Sequence, residues 1–185
     1  MDLFTDRIVA EYTGRTDYAD DALELVRKLC IFYNAKCLYE NNIKGPYAYF
    51  SSRRCLHYLA DTPEYLRDKQ IIKYQGFGNT SKGVAASMPV NNYANGLIRE
   101  WLIKPVTIVV NEDGQDVERV VTNMAFVRNR ALLQELISYN PDGNFDRIRA
   151  LGMVMLYRGE FIDKYEGDLS RTRHQEKIEE DSYFK

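Results

Sequence analysis

The chain has 185 residues, of which 45% are hydrophobic and 12% aromatic, enough apolar material for one domain with its own core. Its formal net charge of −2 argues against a protein that simply coats nucleic acid. No apolar run approaches the roughly 20 residues that span a bilayer, and the first residues lack a signal-peptide pattern. Cys30, Cys37 and Cys55 have apolar neighbours and no paired spacing, which indicates free thiols in a reducing compartment. We therefore expect a cytoplasmic protein without a membrane partner.

The first part of the chain predicts a hairpin, a helix and a short buried strand. Residues 3–12 have the β-branched and aromatic content of two short paired strands. Apolar residues at helical spacing then predict an amphipathic helix over 18–33. Residues 35–39 form the next predicted strand, which ends on Glu40.

The middle of the chain predicts helices on both sides of a long loop. One helix begins at Gly45-Pro46, because proline is tolerated at the first helical position, and a short one follows near 63–68. Between residues 73 and 89 the chain loses periodicity and gains glycines, so we expect a loop, and loops of this length are more often functional than idle. A further helix is predicted over 90–103.

The last part predicts an acidic hairpin, two helices and a tail. The elements are strands at 106–110 and 117–121 and helices at 125–139 and 145–158. We expect the hairpin to lie on the surface. Residues 166–185 are mostly charged and are expected to form a mobile tail, so the domain spans 1–165. This order of elements predicts an α/β fold in which helices cover both faces of a mixed sheet.

Glu40 and Asp146 are the candidate catalytic and metal-binding residues. Glu40 follows a predicted buried strand, at the position where open α/β sheets place functional groups. Asp146 opens the last helix, where Gly152 would allow a sheet to approach closely. Mg²⁺ and Mn²⁺ prefer such oxygen ligands, and two ions can together support phosphodiester cleavage. The alternative is that Asp146 serves only the helix dipole and Glu40 is simply solvated.

The glycine-rich segment 77–83 resembles a phosphate cradle, since glycines free backbone amides and Lys82 supplies positive charge. It is not a P-loop, because the GxxxxGK[ST] spacing does not occur in the chain. Lys82, Lys73 and Arg99 are weaker candidates for DNA binding. A flexible connector is the alternative interpretation of this segment.

Several motifs, taken in order, resemble the nuclease domain of the large terminase subunit of tailed phages. They are residues 8–15 (IVAEYTGR), 32–36 (FYNAK), 39–42 (YENN), 80–83 (TSKG), 97–102 (LIREWL) and 143–151 (GNFDRIRAL). The resemblance covers roughly residues 1–165. It implies an RNase H-like fold that cleaves double-stranded DNA with two Mg²⁺ or Mn²⁺ ions during genome packaging in the host cytoplasm. It also implies that Glu40 is the acid of the central strand and Asp146 that of the closing helix, with the portal protein and the small terminase subunit as partners.

The chain departs from this family at its start. The family's first aspartate lies on a strand before the hairpin, whereas this sequence begins at the hairpin, where Asp2 and Asp6 have the wrong local context to replace it. We therefore expect a fragment without its first strand, which is active only if its remaining ligands suffice, and which is inclined to self-associate through an exposed sheet edge. Two alternatives remain open: another RNase H-like nuclease, such as a resolvase or transposase core, and a non-catalytic module that docks or guides DNA.

Overall fold

The computed structural model describes residues 1–42, 45–72, 81–140, 143–162 and 164, and it combines helices with strands. The helices are α1 (Ala19–Phe32), α2 (Gly45–Ser52), α3 (Tyr65–Asp68), α4 (Met88–Ile103), α5 (Arg130–Ser138) and α6 (146–162). The strands are β1 (Pro105–Glu112) and β2 (Gln115–Thr122), and short 3₁₀ turns occupy Leu56–Tyr58 and Asn123–Phe126. Within these described ranges, no helix has both the length and the apolar character needed to cross a bilayer.

The elements with a strong local pattern form where the sequence predicts them. Helices α1, α3 and α4 and the β1–β2 hairpin are confirmed, with shifts of one or two residues at their ends. The predicted helix 125–139 is shorter, because a 3₁₀ turn precedes α5, whose first turn is capped by Asn129. The helix that begins at Gly45 ends at Ser52, and only a 3₁₀ turn follows it.

The predicted N-terminal hairpin is wrong in its extent. One antiparallel bridge joins Asp2 to Arg7, and residues 8–12 belong to no strand. Asp6 lies in the turn with a φ of 58° and forms a two-pronged ion pair with Arg158 of α6, at 2.6 and 2.7 Å. A tertiary ion pair to the last helix, rather than strand pairing, therefore fixes the start of the chain.

Three short segments, 37–41, 58–62 and 81–84, form what we call the central ladder. The first two run parallel and pair at Cys37 and Leu59 through bonds of 2.8 and 2.9 Å. The third segment lies between their far ends: Gly83 N donates to Ala60 O, and Val84 N donates to Tyr39 O. The predicted strand 35–39 is thus present as isolated bridges instead of a full strand, because each pairing extends over only a few residues.

The apolar core is organised by α4 and α6. Two clusters of buried side chains contain residues of both helices, one around Val90 and Leu156 and the other around Trp101 and Met155. At Gly152 a β-carbon would lie 3.2 Å from the Ala94 side chain, so this glycine lets α4 approach α6. The expectation that Gly152 admits a sheet is therefore corrected: its close neighbour is a helix.

The only regular sheet in the described ranges is the antiparallel pair β1–β2. Its two-residue turn, Asp113-Gly114, has positive φ at both positions, which matches the twist of a tight hairpin. Val109 and Val120 are 62% and 70% exposed, so the hairpin lies on the surface as expected. The mixture of helix and strand is confirmed, whereas the larger mixed sheet is not seen in these ranges. The predicted tail, 166–185, lies outside them.

Candidate functional site

Glu40 lies at the far end of the first ladder segment. The backbone on both sides of it is held by Val84, which donates to Tyr39 O at 2.9 Å and accepts from Asn41 N at 3.0 Å. The Asn41 side chain also donates to Lys82 O at 3.1 Å. Glu40 itself is half-buried, and its carboxylate makes no hydrogen bond or ion pair within the part of the chain that the structure describes. The ladder thus fixes the position of Glu40 while leaving its carboxylate available.

Gly83 makes this arrangement possible. The chain runs antiparallel to Asp61 at Lys82 and parallel to Glu40 at Val84, so it changes direction at Gly83. Its φ of +77° is unfavourable for other residues, and a β-carbon there would lie 2.8 Å from Tyr39 O. A glycine is therefore required beside the segment that carries Glu40.

Asp146 occupies the first turn of α6 and is exposed. The amino end of this helix is capped from α5: Glu135 Oε2 accepts from the backbone amides of Arg147 and Ile148 at 3.0 and 3.3 Å. The sequence predicts Asn144 as the cap of this helix, but its side chain makes no such bond in the described ranges, so that prediction is wrong. Because Glu135 supplies the cap, the Asp146 carboxylate has no hydrogen bond or ion pair in the described ranges.

An ion-pair group lies beside Asp146. The Arg147 guanidinium contacts Glu135 at 2.6 Å and Glu11 at 3.6 Å. These residues and Asp146 line a cavity of about 530 Å³, together with Ile8 and residues 10–14. Arg147 thus has two carboxylate partners in the described ranges, and neither of them is Asp146.

The structure does not place Glu40 beside this cavity. None of its lining residues comes from the central ladder, and no hydrogen bond joins Glu40 to α6 in the described ranges. The convergence of Glu40 and Asp146 into one site stays a prediction. Their shared property is that both carboxylates are unpaired.

Asp2 and Asp6 have structural partners. Asp2 accepts from Phe4 N at 3.0 Å and from the Thr5 hydroxyl at 2.6 Å, bonds that lower its pKa. Burial raises the pKa of Asp6, but Arg158 and Lys104 outweigh that effect, and the net pKa is below the ordinary value. Both carboxylates are thus engaged, and whether either replaces the family's first aspartate is untested by these contacts.

The predicted basic residues are placed differently from one another. Lys82 forms an ion pair of 3.0 Å with Asp61, whose other oxygen accepts from Ser81 at 2.6 Å. Arg99 is exposed on α4, without an ion pair in the described ranges. Lys73 lies outside those ranges. Lys82 therefore has a structural role in anchoring the ladder, and Arg99 is the freer of the two cations.

The donor chemistry of Glu40 and Asp146 suits a hard divalent cation, because two unpaired carboxylates with water oxygens make an acceptable ligand set. Across residues 1–42, 45–72, 81–140, 143–162 and 164, no cluster of three or more metal-binding side chains occurs. Carboxylates are thus the right ligand type for such a cation, and the joint binding of one ion by Glu40 and Asp146 stays a prediction.

Sequence reasoning missed Glu135 and Arg147. Glu135 is 12 positions before Arg147, and nothing in its local pattern distinguishes it from an exposed helical glutamate. A comparison of the chain with protein-family models, with curated proteins and with solved structures finds no match in any of the three.

Proposed function

We propose that this chain is the metal-dependent endonuclease domain of a phage DNA-packaging terminase, with an RNase H-like fold and Glu40 and Asp146 as its ligands for Mg²⁺ or Mn²⁺. The proposal starts from the ordered motifs of the sequence. Double-stranded DNA is the proposed substrate, and the portal protein and small terminase subunit are the proposed partners.

The observation that carries the proposal is that these two carboxylates are unpaired while their acidic neighbours are engaged. Asp61 and Glu135 both have cationic partners, whereas Glu40 and Asp146 have none in the described ranges. Two carboxylates without a cationic partner leave their oxygens open to a hard divalent cation, so the pattern supports metal binding.

The chain's own residues prepare this chemistry. The ladder and Gly83 hold Glu40, and the dipole of α6 favours a negative charge at Asp146. Arg147 forms its ion pair with Glu135 and not with Asp146. A divalent cation bound by these carboxylates would activate a water and neutralise charge on the scissile phosphate.

The test is cleavage of supercoiled plasmid by the full chain in Mn²⁺. We expect wild-type protein to nick or linearise the plasmid, and Glu40→Gln and Asp146→Asn to reduce the rate at least 100-fold. Glu100→Gln is the matched control, because Glu100 is an exposed glutamate of α4 without a partner in the described ranges. Equal cleavage by all three variants, or no cleavage by wild type, would refute the nuclease activity. A preference for branched over linear duplexes would instead favour a resolvase.

A further inference from the structure

A second cavity, of about 550 Å³, shares Ile8, Ala10, Glu11 and Leu132 with the lining of the Asp146 cavity. Its wall includes Arg7, Arg128 and Asn129, together with the aromatic ring of Phe126. Glu11 also lines it, but that carboxylate is within 3.6 Å of Arg147. The charged groups that face this cavity are therefore two arginines and one acid that already has a cationic partner.

Arg7 is held in place without a carboxylate. Its NH1 donates to the Asn123 side-chain oxygen at 2.9 Å, and its guanidinium lies 3.2 Å from the centre of the Phe126 ring. Asn123 is only 1% exposed, which makes this anchor rigid. Arg7 is half-buried and has no ion pair in the described ranges. A half-buried arginine in this setting retains N–H donors that a planar oxyanion can accept.

Arg128 supplies the second charge at the entrance. It is exposed, and no described residue forms an ion pair with it. It directly precedes Asn129, the residue that caps α5 through its bond to Leu132 N at 3.0 Å. The amino end of this nine-residue helix adds partial positive charge to the same wall.

We propose that this cavity binds a phosphate group, with Arg7 as the fixed donor and Arg128 as the exposed one. Phosphate suits the site because guanidinium groups recognise its oxygens through paired hydrogen bonds. The proposed function supplies one source, a backbone phosphate of duplex DNA; free phosphate is the other. Only the choice of DNA as the source rests on the proposed function.

The experiment measures binding of a fluorescent 20-base-pair duplex by anisotropy, over a range of salt concentrations, in EDTA. Removal of an arginine that contacts a phosphate weakens binding to a similar extent for unrelated sequences, and it lowers the salt slope by about 1. We expect this result for Arg128→Ala with two unrelated duplexes. The control is Arg67→Ala, an exposed arginine on α3. That helix lies beside Glu160, about 20 Å along α6 from Arg147.

Asn123→Asp tests the role of Arg7, because aspartate has nearly the same shape as the asparagine that accepts the Arg7 hydrogen bond. The new carboxylate would give Arg7 a permanent counter-ion, so we expect at least threefold weaker duplex binding with an unchanged thermal unfolding midpoint. Inorganic phosphate is titrated in parallel by NMR shifts of the Arg7 and Arg128 signals. If phosphate moves these signals and duplex binding does not depend on Arg128, the site takes free phosphate. If neither probe responds to Arg128→Ala or Asn123→Asp, the inference is overturned. Because EDTA removes metal, failure of the nuclease would leave these results unaffected.

Discussion

Glu135 and Arg147 are joined by two hydrogen bonds, although they lie on different helices. The Arg147 side chain donates to Glu135 Oε1 at 2.6 Å, and the backbone amides of Arg147 and Ile148 donate to Oε2 at 3.0 and 3.3 Å. One carboxylate therefore caps α6 and anchors its first cation. Asp146, one residue earlier, therefore neither caps α6 nor pairs with Arg147.

This relationship predicts a large effect of Glu135→Ala. Loss of the cap and of the charged bond should lower the free energy of unfolding by about 1–3 kcal/mol, measured by urea denaturation. Glu100→Ala, the exposed glutamate of α4, should change it by less than about 0.5 kcal/mol. Equal effects of the two substitutions would show that the cap contributes nothing to stability.

The ion pair between Asp6 and Arg158 predicts a dependence of stability on pH. The pKa of folded Asp6 is below its unfolded value of about 3.9, so the pair stabilises the fold above that pH. Its contribution is lost as pH falls through the lower, folded pKa. Asp6→Asn should therefore be less stable than wild type at pH 6, and the difference should shrink steadily below about pH 4. A difference in unfolding free energy that stays constant from pH 6 to pH 2.5 would contradict the pair.

Gly83 and Gly114 have similar positive φ angles, but only Gly83 has atoms close to where a β-carbon would lie. Comparing alanine substitutions at the two positions therefore distinguishes the cost of backbone strain from the cost of a steric clash. Gly83→Ala would place a β-carbon 2.8 Å from Tyr39 O, whereas Gly114→Ala, at φ +83°, meets nothing within 4 Å. We expect Gly114→Ala to cost about 1 kcal/mol and Gly83→Ala about 1–3 kcal/mol more, in urea denaturation. Equal costs would mean that the ladder relaxes around Gly83 without penalty.

The sequence predicted the elements whose signals are local. The apolar spacing of α1 and α4, and the acidic turn between β1 and β2, contain enough information within a few residues to place them. The central ladder could not be predicted in the same way, because Gly83 pairs with residues more than 20 positions away. Its segments are also too short to show a periodic pattern.

In the candidate site, too, the local features could be predicted from the sequence and the tertiary contacts could not. Asp146 in the first turn of the last helix follows from local sequence, since a break at Gly143 precedes an apolar helix. The cap from Glu135 does not, because Asn144 satisfies the local rule for a cap and the tertiary contact replaces it. Likewise, Asp6 and Arg158 are 152 positions apart, and only the folded chain shows that Asp6 is engaged.

The central claim is that Glu40 and Asp146 hold a divalent cation. The most direct measurement is calorimetric titration of Mn²⁺ into the full chain, beside Glu40→Gln, Asp146→Asn and the control Glu100→Gln. We predict that wild type and the control bind Mn²⁺ and that each of the two variants weakens binding at least tenfold. Binding that is absent in wild type, or unchanged in both variants, would contradict the claim.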